Sequence, residues 1–129
     1  MPFAYRIDTA AGRIFLEGSG WLTQAERLDT LRALYKDPAF QPEFPTLCDF
    51  SEASSVPTLQ ELRQIVDFIE QHDALLGIGM KRRLAVVTSK PSTFGVARQF
   101  GTLAESGPLI VRVFSTRDEA MAWLSQEQA

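Results

Sequence analysis

The sequence predicts one α/β domain over residues 1–129: a mixed β-sheet that opens with an antiparallel hairpin, continues in parallel strands and is covered by helices, in the order ββαβαβαβα. Three observations carry this. Short β-branched and aromatic runs alternate with longer stretches of helical apolar spacing. Three Thr-x-x-Glu pairs, Thr23/Glu26, Thr58/Glu61 and Thr116/Glu119, stand where helices should begin, each able to satisfy free amides at a helix start. With 129 residues, 45% hydrophobic and 22% charged, the chain can bury a core without disulfides or a metal.

Taken in order, Phe3 to Ile7 and Arg13 to Gly18 flank Asp-Thr-Ala-Ala-Gly and read as a hairpin. Ala25, Leu28, Leu31, Leu34 and Tyr35 recur at helical spacing until Asp37-Pro38 stops them. Phe44 to Phe50 reads as a strand with Pro45 near its start, where a missing donor is tolerated. Pro57, Thr58 and Glu61 open a helix striped by Leu59, Leu62, Ile65, Val66 and Ile69, which Gly77 can end. Leu84 to Val87 is a compact strand, Phe94, Ala97, Phe100 and Ala104 stripe a helix over 93–106, and Leu109 to Phe114 is another strand. Ala120, Trp123 and Leu124 mark the apolar face of a closing helix. Strands separated by whole helices pair in parallel through right-handed crossovers.

Charge and composition narrow the function. A net charge of -3 opposes binding to nucleic acid or anionic lipid. The cluster Lys81, Arg82, Arg83 reads as the solvated end of a strand. No segment approaches the eighteen or so apolar residues needed to span a membrane, and neither an export signal nor paired cysteines are evident, so the expectation is a cytoplasmic protein. No metal-ligand spacing or cofactor motif is present, and none of either is expected. Gly95 and Gly101 form neither GxGxxG nor a Walker loop, and both fall within a helix, where close approach to the sheet or to a small ligand would compensate their cost. His72, in a last helical turn, reads as a cap, Cys48 as a small buried hydrophobe, and Trp21 and Trp123 as core or interface aromatics.

Parallel topology sends every strand-to-helix loop to one edge of the sheet. The loops are Ser51 to Thr58, Thr88 to Thr93 and Ser115 to Arg117, rich in hydroxyls and leading to helix N-termini that favour anions, with Lys90 and Arg117 as cations. Open sheets also bind ligands at their carboxyl edge near a topological switch point. The candidate edge therefore comprises Asp49, Ser51, Ser54, Ser55, Lys90, Ser92, Thr93, Phe94, Gly95, Ser115, Thr116 and Arg117. Ser and Thr also cap helices whether or not anything binds, and Asp49 can serve as an acceptor for loop amides or as an acid or base.

The runs Leu47-Cys48-Asp49-Phe50-Ser51, Ala85-Val86-Val87, Phe94-Gly95-x-Ala97-Arg98-x-Phe100, Val111-Arg112-Val113-Phe114 and Glu119-Ala120-x-Ala122-Trp123-Leu124 resemble the SpoIIAA-like family along almost the whole chain. The resemblance implies a STAS-type or SEC14-type fold. STAS relatives include anti-sigma factor antagonists switched by phosphorylation of a Ser or Thr at the start of the helix after the central strand, and SEC14-type relatives carry lipids or other apolar ligands. Where the antagonists carry Asp-Ser-Ser/Thr-Gly this chain has Pro57-Thr58-Leu59, so Thr58 is the candidate phosphoacceptor, with a plain N-cap as the alternative. Three functions follow as expectations: a non-enzymatic regulatory module binding a protein partner through the loop edge; a carrier or sensor of a lipid-like or other apolar small molecule, with Phe94 and Phe100 lining its pocket; and, third, an enzyme using Asp49. Homodimerisation is left open.

Overall fold

The computed structural model describes residues 2–126. Its elements are β1 (Phe3–Asp8), β2 (Arg13–Gly20), α1 (Gln24–Lys36), β3 (Thr46–Ala53), α2 (Leu59–Leu75), β4 (Arg82–Val87), α3 (Pro91–Ala104), β5 (Leu109–Phe114) and α4 (Arg117–Leu124). The order is the predicted ββαβαβαβα. One five-stranded sheet holds the strands in the order β1-β2-β3-β4-β5, with β1 and β2 antiparallel and the rest parallel.

Strand order never reverses, so the topological switch point expected from the sequence is absent from this sheet. Successive right-handed crossovers in one direction instead put α1, α2 and α3 on the same face. There Phe3, Leu16, Cys48 and Leu84 meet Leu31 of α1, and Leu84 and Leu109 meet Val66 and Ile69 of α2 and Ala104 of α3. Leu47, Ala85 and Val87, which alternate with those residues along β3 and β4, pack against Ala120, Trp123 and Leu124 of α4 on the other face.

The capping boxes predicted for α1 and α2 are complete: Thr23 and Thr58 each accept from the backbone of Glu26 and Glu61, whose carboxylates answer to the cap amides. At α4 only half of the box forms, since Thr116 accepts from Glu119 N–H but the Glu119 carboxylate accepts from the Thr116 hydroxyl. Helix α2 ends at Gly77, whose φ of 69° is the left-handed conformation; Gly77 N–H donates to Ala74 O and Ile78 N–H to Asp73 O, the paired closure of a Schellman motif.

Several boundaries and faces differ from the sequence expectation. Strand β3 begins at Thr46, not Phe44, because Phe44 is held in a turn by Gln41 O. It continues to Ala53 because β2 runs on to Gly20 and supplies Glu52 and Ala53 with parallel partners. Helix α3 starts at Pro91, one turn's fraction earlier than expected and with proline at its favoured first position. On α1, Ala25 is exposed and the buried face includes Arg27 and Thr30. Arg27 donates to Leu22 O and Gln24 Oε1, so its charge is buried with partners.

Arg82 is the clearest reversal: it is no solvated strand end but is 8% exposed, donating through one nitrogen to both carboxylate oxygens of Asp73 at 2.8 and 3.1 Å and to the Tyr35 hydroxyl at 2.7 Å. The Tyr35 hydroxyl in turn donates to Asp73. This triad ties α1, α2 and β4 at the end of the sheet opposite the strand-to-helix loops.

The close approach expected of the helical glycines Gly95 and Gly101 is found at neither, and is found instead at Gly18 in β2. A β-carbon on Gly18 would fall 2.7 Å from the Phe50 ring and 2.9 Å from Leu22 Cδ1, so β2 needs glycine here, at its irregularity in register with β3. On Gly95 it would meet nothing within 4 Å, and on Gly101 it would meet Val111 Cβ at an ordinary 3.6 Å. Gly18→Ala is therefore expected to destabilise by about 1–3 kcal/mol through overpacking. Gly95→Ala should stabilise by about 0.5–1 kcal/mol through helix propensity. Denaturant midpoints moving in opposite directions for the two variants would check both.

Candidate site at the strand-to-helix edge

Parallel β3, β4 and β5 deliver their carboxyl ends to one rim, as the topology requires, and side chains stitch the loops together there. Lys90 Nζ donates to Ala53 O at 2.6 Å, joining the β4–α3 loop to the end of β3. Arg117 donates to Glu17 Oε1 at 3.0 Å and its Nε lies 3.6 Å from Asp49 Oδ2, joining the start of α4 to β2 and β3. Thr88 N–H donates to Phe114 O at 3.0 Å.

Ser51 lies in β3 and not in the loop, and its N–H and Oγ both donate to Asp49 Oδ1 at 2.9 and 2.6 Å. Asp49 thereby serves as a half-buried acceptor paired with Arg117. Exposed Ser54 donates its N–H to Gly20 O. Ser55 is buried, accepting from Leu22 N–H at 2.7 Å and donating to Leu22 O at 3.1 Å. Thr58 and Thr116 are exposed caps, Ser115 is exposed, and Lys90 is the N-cap of α3. Ser92, Thr93, Phe94 and Gly95 belong to α3 itself: Ser92 and Gly95 are exposed, Thr93 is buried, and Phe94 is half-buried.

The rim is thus common to the three loops, but it does not gather its charges into a free anion site. Both expected cations, Lys90 and Arg117, are engaged, and the sheet divides the set, with Asp49 and Arg117 on the α4 side and Ser55 and Thr93 on the other. Beside the exposed Ser54, Ser92, Ser115 and the caps Thr58 and Thr116, the rim also exposes three large apolar residues. Trp21, 72% exposed, sits between Gly20 and Leu22, which are hydrogen-bonded to Ser54 and Ser55; Val56 and Leu59 follow directly and are also exposed. Trp21 had no periodic neighbours to mark it as external.

Beneath this rim, between the sheet and α1–α3, is an apolar cavity of about 110 Å³, bounded among others by Leu16, Cys48, Leu62, Thr93, Ala97 and Phe100. Helix α2 rests on α1 and α3 along this side and contributes Leu62, Ile65 and Ile69 to the cavity wall. Phe100 lines it as expected; Phe94 does not, and points instead to a groove between α3 and β5. Cys48 is fully buried beside it, and burial, reinforced by the Asp49 charge, pushes the thiol far above its ordinary 9.0. His72 stacks on Phe68 at 3.9 Å, with Nδ1 2.9 Å from Phe68 O, away from the rim.

These shifts set an alkaline limit. Burial, against the opposing pull of Arg82, likewise holds the Tyr35 phenol above its ordinary 10.0. Both groups have folded values raised above the unfolded ones, so their stabilising contribution is complete below pH 9 and is lost as pH rises, because the unfolded chain ionises first. Unfolding free energy should fall above pH 9, by up to about 1.4 kcal/mol per pH unit for each group. In Cys48→Val the decline should begin a unit later; unfolding curves between pH 7 and 11 would read this.

No family model matches the chain, and no curated protein matches it in sequence. Among solved structures it is similar to an uncharacterised protein of the DUF3478 family from Shewanella loihica with a SpoIIAA-like fold, at 19% identity and a TM-score of 0.50, over 87% of this chain and 83% of that one. The five-stranded mixed sheet, the helix order and this likeness together identify the fold of the chain as SpoIIAA-like.

Proposed function

We propose that the protein is a non-enzymatic binding module of STAS type that engages a protein partner through its strand-to-helix rim. The observation behind this reading is the division of labour there: polar side chains bind the loops to one another, while Trp21, Val56 and Leu59 stay open to solvent. A rigid rim with exposed aromatic and aliphatic side chains is what a hot-spot cluster needs, since little ordering entropy is lost on association. Against an enzyme stands the engagement of Asp49 by Ser51 and Arg117.

A photo-crosslinking residue in place of Leu59, in the protein's own host, should give a discrete protein adduct that Trp21→Ala suppresses. The same residue in place of Leu75, 82% exposed at the far end of α2, should not. Absence of an adduct at 59, or equal adducts at both ends, would refute the reading. A phosphate on Thr58 would add about 1.5–2 negative charges beside Glu61, whose carboxylate already accepts from Thr58 N–H. Thr58→Glu should therefore weaken the adduct, and mass spectrometry after incubation in host extract reads the modification directly.

The cavity favours a second reading, a carrier or sensor of an apolar small molecule. Its 110 Å³ lies below the roughly 300–1,000 Å³ of sites that enclose a drug-sized ligand, so this reading ranks behind the first. An apolar mass retained by the protein in native mass spectrometry from its host would reverse the ranking.

A further inference from the structure

The last strand, β5, ends the sheet on one side. Arg82 N–H donates to Pro108 O at 2.8 Å and Thr88 N–H to Phe114 O at 3.0 Å, which fixes the phase of the β4–β5 ladder. In a parallel ladder alternate residues turn both backbone groups to the same neighbour. Ile110, Arg112 and Phe114 face β4, so the N–H and C=O groups of Leu109, Val111 and Val113 face outward. Among the described residues no loop or side chain takes them up.

That edge does not open onto bulk solvent alone. It forms one wall of a groove of about 550 Å³ whose other wall is α3, from Phe94 through Arg98 and Gly101 to Glu105. Gly101 of α3 faces Val111 across the floor of this groove. The volume is in the range of built ligand sites, roughly 300–1,000 Å³. Its charged lining is Lys81, Arg98 and Arg112 against Glu105, a local excess of positive charge on a molecule of net charge -3. Charges flanking an edge are one way a sheet defends it against like strands; here they are cations, which repel a basic strand and leave the edge open to an acidic one.

We propose that this groove receives an extended, acidic peptide segment of a partner protein, which adds to β5 as a further strand. Main-chain hydrogen bonds to Leu109, Val111 and Val113 supply affinity, and acidic side chains placed beside Arg98 and Arg112 supply specificity, the division typical of strand addition. A second copy of this chain is the poorer occupant, because pairing β5 with β5 would bring Lys81, Arg98 and Arg112 of both copies together. The site lies apart from Trp21, Val56 and Leu59, so it stands or falls independently of the rim.

The test uses the full chain, labelled with nitrogen-15, and an acetylated peptide of alternating valine and glutamate, with its valine–lysine counterpart as control. The acidic peptide should slow amide exchange at Leu109, Val111 and Val113, bind more weakly as salt rises, and lose about tenfold or more in affinity in Arg98→Glu. Arg98 is exposed on α3, so this variant should fold. The proposal is overturned by unchanged exchange at those amides, by equal binding of the lysine peptide, or by unaltered affinity in Arg98→Glu. It is equally overturned by a dimer whose β5 amides are protected without peptide.

Discussion

Asp73→Ala is expected to be the most damaging single substitution in the molecule, lowering unfolding free energy by about 3–5 kcal/mol. Asp73 and Arg82 are 3% and 8% exposed, and the guanidinium reaches both carboxylate oxygens as well as the Tyr35 hydroxyl. Removing the carboxylate leaves Arg82 charged, desolvated and short of acceptors, a state its already unpartnered Nε cannot relieve. The cost is that of the orphaned charge and not the net worth of the ion pair. Replacing both partners, as in Asp73→Leu with Arg82→Met, should therefore recover part of the loss, the remainder being the cost of the buried Tyr35 hydroxyl, which then has neither its acceptor Asp73 nor its donor Arg82. Chemical denaturation of the two single variants and the double variant measures this; a double variant no more stable than the worse single one would show that the pair contributes net stability.

Why this triad escaped the sequence explains what else did. Helix starts were legible because a Thr-x-x-Glu box is complete within four residues, and Thr23, Thr58 and Thr116 all became caps. The parallel strands and the common rim were legible because handed crossovers leave few alternatives. Arg82 and Arg27 were not, because burial of a cation depends on acceptors from other elements, Asp73 and Tyr35 for the first and the Leu22 carbonyl for the second. The extra residues of β3 likewise depended on the length of β2. At the rim, position could be read from topology, but whether Lys90 and Arg117 were free depended on where Ala53 O and Glu17 happened to lie. The unreversed strand order, which makes β5 an edge and opens the groove beside α3, has no local signature at all.

Trp123→Ala should come next in size, at about 3–5 kcal/mol, and its consequence reaches the rim. Helix α4 is only eight residues long, too short to hold its shape without packing. Its attachment to the sheet includes Ala120, Trp123, Leu124 and the half-buried Met121 over Leu47, Ala85 and Val87, and the Trp123 ring also meets the Phe114 ring and the guanidinium groups of Arg83 and Arg112. Truncation leaves Leu47, Ala85 and Val87 covered only by the smaller contacts of Ala120, Met121 and Leu124, and α4 weakly docked. Local opening of α4 then carries Arg117 away from Glu17 and Asp49, because the cap at Thr116 moves with the helix. Amide exchange should accelerate first over residues 119–124, then at Ser51 and its neighbours, while α2, packed on the opposite face, keeps its protection up to global unfolding. Uniform acceleration across both faces would mean instead that the two layers unfold as one unit, and that the rim draws its rigidity from the whole sheet and not from α4.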